Sequence, residues 1–258
     1  MNKNLNIYNN KETIDNYSKL KYILEPEKVI LEHAKKMNFK NTMLDIGVGT
    51  GRTTDLFTDV FKNYIGIDYA QEMITYCDNK YKESKNTTFN EADARDLKFI
   101  ESDSIDFTLF SFNGIDCVNY QDRIIILKEI KRVGKKDSFF AFSTHNFYNI
   151  PKLFKLQVPK NPFNWIKEYK RFKGVRAHNN FKEIFSEENY AQVIDGDKNN
   201  FDYQYVYIKP KFQIETLENM GFTDIKAFDL SGNNLSLSKI DWKRFNEPWI
   251  HFICKITK

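Results

Sequence analysis

Leu44-Asp45-Ile46-Gly47-Val48-Gly49-Thr50-Gly51-Arg52 is the stretch whose reading decides the fold. The apolar run 42–47 predicts a short strand and residues 52–61 predict a helix, so the three glycines stand in the turn between them. Glycine there lets the chain turn sharply and lets a ligand lie against the main chain. The start of the helix beyond offers unpaired N–H groups to a carboxylate or a phosphate. Asp45 narrows the choice. A dinucleotide loop faces a pyrophosphate and has no use for an anion ahead of its first glycine, whereas an acid suits a ligand that carries an ammonium group.

The flanks of this turn keep one rhythm. Residues 64–68 predict a second strand, 70–83 a helix, 88–92 a weak third strand and 105–110 a fourth. An amphipathic helix over 121–133, with Ile124, Leu127, Ile130 and Lys131 on its stripe, precedes a fifth strand at 138–143. Strands alternating with helices of this length imply right-handed crossovers and a parallel sheet with helices on both faces. On the N-terminal side, Leu20, Ile23 and Leu24 recur at helical spacing. Val29, Ile30, His33, Ala34 and Met37 form a second such stripe, with Pro26 in its first turn. The rhythm breaks at 146. Residues 192–195 and 201–207 alternate like strands about a polar turn at 196–200, which predicts a hairpin. Then 210–220 predict a helix closed by Gly221, followed by strands at 225–230 and 248–256. The fold class is α/β, Rossmann-like. One domain over 1–258 is expected: an N-terminal helical segment 1–40, a cofactor-binding core 41–145, an insertion of about 146–208 after the fifth strand, and a C-terminal part of the sheet, 209–258.

Two further acids follow the pattern. Asp68 ends the second strand, where a carboxylate accepts hydrogen bonds from ribose hydroxyls. Asp93, in Glu91-Ala92-Asp93-Ala94 after the third strand, is placed to accept from an adenine amino group. Any one of these acids alone reads as a loop cap. Three at the ends of three consecutive strands fall on the carboxyl edge, where open α/β sheets bind ligands.

With these residues in place the sequence resembles the class I S-adenosylmethionine-dependent methyltransferases, by motif over roughly 40–145 and by strand and helix pattern over 210–256. The resemblance implies S-adenosylmethionine as cofactor and a seven-stranded, mostly parallel sheet whose last strand is antiparallel. It implies that Gly47, Gly49 and Gly51 approach the methionine moiety and that Asp45 receives its ammonium group, indirectly or directly. It assigns the ribose to Asp68 and the adenine to Asp93 and Ala94. Ser111 and Asn113, in Ser111-Phe112-Asn113-Gly114, come to line the sulfonium and the acceptor site. Arg52 and Tyr17 are candidates for the cofactor carboxylate. Methyl transfer needs a base only when the acceptor must lose a proton, and His145 after the fifth strand is the candidate; His178 is a second, while His33 and His251 read as structural.

The remaining features bound the acceptor. Residues 146–208 would form a cap over the substrate, with Tyr148, Phe154, Trp165, Tyr203, Tyr205 and Tyr207 as ring-bearing candidates for its pocket. Asn161-Pro162-Phe163 imitates an amino-methylating motif, but it lies in the insertion and lacks the second proline. A net charge of +4 over 258 residues is small and dispersed. The densest basic stretch is 167–176, with Lys167, Lys170, Arg171, Lys173 and Arg176, which reads as a solvated helix face. Small-molecule acceptors at O or N therefore lead, with an RNA or other nucleic-acid methyltransferase and a non-catalytic cofactor-binding relative as alternatives. A nicotinamide oxidoreductase would call for Gly-x-Gly-x-x-Gly. The three cysteines, Cys77, Cys117 and Cys254, are far apart and predict neither disulfides nor a metal site. No run approaches the ~18 apolar residues of a membrane span, so a cytoplasmic protein is expected.

Overall fold

A computed structural model describes residues 8–159, 161–186, 188–195, 201 and 204–258. Its centre is one sheet in the order β3-β2-β1-β4-β5-β10-β8-β9. The strands are β1 (Thr42–Ile46), β2 (Asn63–Asp68), β3 (Thr87–Glu91), β4 (Ile105–Phe110), β5 (Gly134–Asn146), β6 (Tyr190–Val193), β7 (Tyr205–Ile208), β8 (Phe222–Phe228), β9 (Asn234–Leu235) and β10 (Trp249–Ile256). β1, β2, β3, β4 and β5 run parallel. β10 is antiparallel to both of its neighbours, β5 and β8.

Among the described residues the sheet has ten strands where seven were expected. β9 is a two-residue addition at the β8 edge. The antiparallel pair β6–β7 has another origin. β5, expected over 138–143, runs on to Asn146, while β4 stops at Phe110 opposite Phe142. Past that point one edge of β5 has open N–H and C=O groups. β7 pairs there in parallel, His145 opposite Tyr207 and Asn146 opposite Ile208. The expected hairpin thus exists, with its strands shifted; its predicted turn, 196–200, lies outside the described residues.

Helices cover both faces. α1 (Lys11–Ser18), α2 (Glu25–Lys35), α3 (Thr54–Thr58) and α4 (Gln71–Lys80) precede β3; α5 (Tyr120–Val133), α6 (Ile150–Leu153), α7 (Trp165–His178), α8 (Phe181–Ser186) and α9 (Pro210–Asn219) follow β4. Ile30, Leu31, Phe57 and Ile74 pack with Met43 and Phe107 on one side of the sheet. Ile126, Leu127, Ile130 and Leu217 pack with Leu44 and Ile46 on the other. Phe147, Ile150, Phe154, Val175, Ile184 and Val193 form a separate apolar cluster between β5 and α9.

Three helix expectations change. Residues 20–24 are not helical, because Leu24 must be extended to cap α2: its N–H donates to Glu27 Oε2 at 2.9 Å. The helix of this region is α1, capped by Asn10. The helix expected at 52–61 shrinks to α3. The buried stripe of α5 is Arg123, Ile126, Leu127, Ile130 and Val133, so an arginine stands where Ile124 and Lys131 were expected.

Candidate functional site

At the carboxyl edge the chain leaves β1 through three left-handed glycines: Gly47 at φ +66°, Gly49 at +55° and Gly51 at +70°. A side chain is strained at each of them. A Cβ on Gly47 would come within 3.1 Å of the Phe110 ring, while one on Gly49 would meet nothing within 4 Å. The loop is held by Asp68: its Oδ2 accepts from Gly49 N–H and its Oδ1 from Ala70 N–H, both at 3.0 Å. Burial pushes the Asp68 carboxyl up to about 6, although these N–H groups favour its charged form.

Asp68 lines a cavity of about 260 Å³. Tyr17, Gly47, Gly49, Asp93, Ala94, Ser111, Asn113 and His145 line it too, so the structure gathers nine of the twelve predicted site residues around one space. Tyr17 arrives on α1, which packs on α4 through Ile14, Ala70 and Met73. Asp93 carries a commitment of its own, since Arg95 Nε lies 3.0 Å from both of its oxygens. Burial raises the Asp93 carboxyl, but the Arg95 guanidinium more than offsets this and leaves it below its usual value.

Asp45, Gly51 and Arg52 are not among the lining residues, and each has a physical reason. Asp45 is buried beneath the loop. Its Oδ2 accepts from Thr53 Oγ1 at 3.0 Å and Tyr64 OH at 2.5 Å, and burial pushes its carboxyl up to about 6. It fastens the turn to β2 and stands behind the cavity wall rather than on it. Arg52 forms a two-pronged pair with Glu27 of α2, at 2.7 and 2.5 Å, with its guanidinium 4.9 Å over the Phe112 ring. It ties α2 to the loop, with Nη2 3.5 Å from Ser111 Oγ on the cavity wall. Gly51 packs under Tyr81.

What surrounds His145 was not legible in its neighbours along the chain. Asp116, fully buried in the turn after β4, accepts from the His145 backbone N–H at 2.7 Å and from Nδ1 at 2.8 Å, both at Oδ2. Its Oδ1 accepts from Thr144 Oγ1 at 2.8 Å and pairs with Arg123. Arg123 reaches on to Gln213 Oε1 at 2.7 Å. A carboxylate on Nδ1 fixes that nitrogen as the protonated one and leaves the lone pair on Nε2. Asn113 Nδ2 stands 3.3 Å from Nε2. Phe112 and Asn113 are both left-handed, at φ +55° and +59°, an uncommon pair of conformations that aims Asn113 N–H at Ser143 Oγ, 2.8 Å away. Of the other histidines, His178 is an exposed residue bonded to Gly174 O, and His33 packs edge-on to Phe139. Burial pushes the His251 ring down to about 4.

From the segment after β5 only Tyr205 of the expected rings lines the cavity. Tyr207 packs on His145, Phe154 belongs to the separate cluster, and Trp165 faces outward; Tyr203 lies outside the described residues. Asp195 and Trp249, which were not foreseen, line the cavity as well. Among the described residues no helix is long and apolar enough to cross a membrane.

Comparisons with known proteins bear on this geometry. Residues 44–142 match the family model of a methyltransferase domain. A probable S-adenosylmethionine-dependent methyltransferase of Saccharomyces cerevisiae is 25% identical over 151 residues, 56% of this chain and 48% of that protein. An uncharacterised protein of Methanocaldococcus jannaschii is 26% identical over 249 residues, 96% of this chain and 86% of its own. An S-adenosylmethionine-dependent methyltransferase from Clostridium acetobutylicum superposes with a TM-score of 0.62 at 15% identity, over 100% of this chain and 99% of that one. The open space over Gly49, the acid at the end of β2 and the matched methyltransferase domain agree: the chain is similar to S-adenosylmethionine-dependent methyltransferases, and its methyltransferase domain over 44–142 marks an enzyme that uses this cofactor.

Proposed function

We propose that this enzyme moves a methyl group from S-adenosylmethionine to an O–H or N–H of a small molecule. The observation that carries the reading is that the Gly49–Asp68 edge and His145 border one cavity. On this reading Gly47 and Gly49 receive the methionine portion of the cofactor, Asp68 the ribose hydroxyls, and Asp93 with Ala94 the adenine edge. Ser111 and Asn113 line the reacting centre, and Tyr17 reaches the cofactor carboxylate. The chain is read as one domain over 1–258, with 146–208 as the cap that closes the acceptor end. Three free thiols accord with a cytoplasmic setting.

The cofactor, when bound, supplies an electrophilic methyl group. The protein positions the acceptor in line and shields it from water. His145 Nε2 takes the acceptor proton as the nucleophile attacks, and Asp116 holds the ring and faces the positive charge that arrives. Replacing His145 with glutamine is expected to lower kcat by roughly 10²–10⁴-fold. Affinity for S-adenosylhomocysteine should stay unchanged, since His145 serves the acceptor.

Thermal unfolding with S-adenosylmethionine, S-adenosylhomocysteine, NAD or no ligand tests the cofactor half. Either adenosyl compound at about 100 times its Kd should stabilise the fold by about 2.7 kcal/mol. A shift with NAD alone would overturn the reading. The pH dependence is also fixed in sign. Ribose hydroxyls donate to the charged form of Asp68, so binding favours ionisation of a carboxyl held at about 6. Affinity for S-adenosylhomocysteine, followed by titration calorimetry, should be level above pH 7 and weaken as pH falls through about 6, by up to about tenfold per unit.

A further inference from the structure

Besides the residues assigned to the cofactor, the cavity lining includes the rings of Phe112, Tyr205 and Trp249 around His145 and one further carboxylate. His145 is packed by Tyr207 at 4.7 Å, Tyr205 at 5.2 Å and Trp249 at 6.1 Å between ring centroids. Trp249 meets Phe112 edge-to-face at 5.0 Å, so the two rings form a corner. Into this ring-lined end comes Asp195, just past β6. Its Oδ2 accepts from Tyr207 OH, which fixes the carboxylate beside the histidine wall. The cations around the cavity are spent elsewhere. Arg95 pairs with Asp93 and Asp122, Arg52 with Glu27, and Arg123 with Asp116. Asp68 and Asp93 lie at the cofactor edge, which leaves Asp195 as the acid of the acceptor end.

Aromatic rings around a carboxylate that has no cationic partner among the described residues form a site for an organic cation. The rings attract positive charge through their quadrupoles, and the carboxylate supplies a charge-assisted acceptor. We infer that the methyl acceptor is a ring-bearing amine. Its nucleophilic O–H or N–H stands at His145 Nε2, and a protonated nitrogen at its far end is held by Asp195 between Tyr205 and Trp249. This rests on the methyltransferase reading of the same cavity and adds the acceptor's charge and its orientation.

The test uses three phenols that share a ring and hydroxyl and differ at the far end: tyramine (cation), tyrosol (neutral) and 4-hydroxyphenylacetate (anion). Each is titrated calorimetrically into the full chain saturated with S-adenosylhomocysteine. Wild type should bind tyramine roughly tenfold tighter than tyrosol, and the acid most weakly. Asp195→Asn should bring tyramine down to the tyrosol level, while Tyr207→Phe, which keeps the charge, retains the preference. Affinity of Asp195→Asn for S-adenosylhomocysteine should match wild type. Equal affinities for the three phenols, or no binding of any of them to the loaded enzyme, overturn the proposal. So does a loss of S-adenosylhomocysteine affinity in Asp195→Asn, which would assign this acid to the cofactor's own ammonium group. Failure of wild type to bind S-adenosylhomocysteine at all, seen before any phenol is added, overturns the cofactor reading and this proposal with it.

Discussion

Arg123→Met should lower the stability of the fold by about 3–5 kcal/mol, read as a shift of the urea midpoint and as a fall in Tm of roughly 10 °C. The guanidinium is 1% exposed and its partner Asp116 is fully buried. Methionine matches much of the arginine stem but leaves Asp116 buried without its cation. It also strips Gln213 Oε1 and Thr144 Oγ1 of a donor. Removing one member of a buried pair costs far more than the pair is worth, because the surviving charge stays in a low dielectric. The double variant Asp116→Asn with Arg123→Met should therefore recover much of the loss, and the coupling between the two sites should exceed 1 kcal/mol in magnitude. Additive losses would show that the pair is incidental.

Arg123 also shows how far local sequence reaches. A charged residue in an amphipathic helix is read as solvated, and the stripe was drawn through Ile124 and Lys131. The 123-126-127-130 spacing would have put Arg123 on the core side, but only a buried acid elsewhere makes that position tolerable, and Asp116 is brought there by the turn after β4. The parts that were legible depend on neighbours in the chain. Strand periodicity, the glycine turn and an acid closing β2 all act within a few residues of one another, and the parallel order of the first five strands follows from the helices between them. The rest is set by distant partners. Glu27 takes Arg52 across 25 residues of sequence, Tyr64 takes Asp45 across 19, and the open edge of β5 takes β7. Asp195 reached the site by the same route, from a hairpin whose docking strand could not be inferred from its own alternation.

Asp68→Asn should separate binding from stability, because the carboxylate at the end of β2 is poorly hosted by the fold alone. Its carboxyl is held at about 6, above the ordinary Asp value of 3.8, and burial is the chief cause. A folded-state value above the unfolded one means that the group's contribution to stability is complete below about pH 4 and is lost as pH rises through about 6. At pH 7 the charged form is therefore a net cost to the apo protein, of order 1–3 kcal/mol. Asparagine removes that cost but keeps an acceptor for only one of the two N–H groups, because Gly49 and Ala70 bond different oxygens. The two effects are of similar size, so the variant's apo stability in urea at pH 7 should stay near wild type and should fall relative to it at pH 5, where wild type recovers by taking up its proton. Affinity for S-adenosylhomocysteine should nevertheless drop roughly ten- to hundredfold, since hydrogen bonds to a charged acceptor are worth about 1.5–3 kcal/mol. The weakening of binding below pH 6 should vanish with the carboxyl that causes it. A variant that lost stability and kept its affinity would reverse the assignment: Asp68 would then be a brace for the glycine loop and the ribose would be held elsewhere. If both hold as expected, the enzyme carries an unfavourable buried charge in its apo state because only the cofactor's hydroxyls make full use of it.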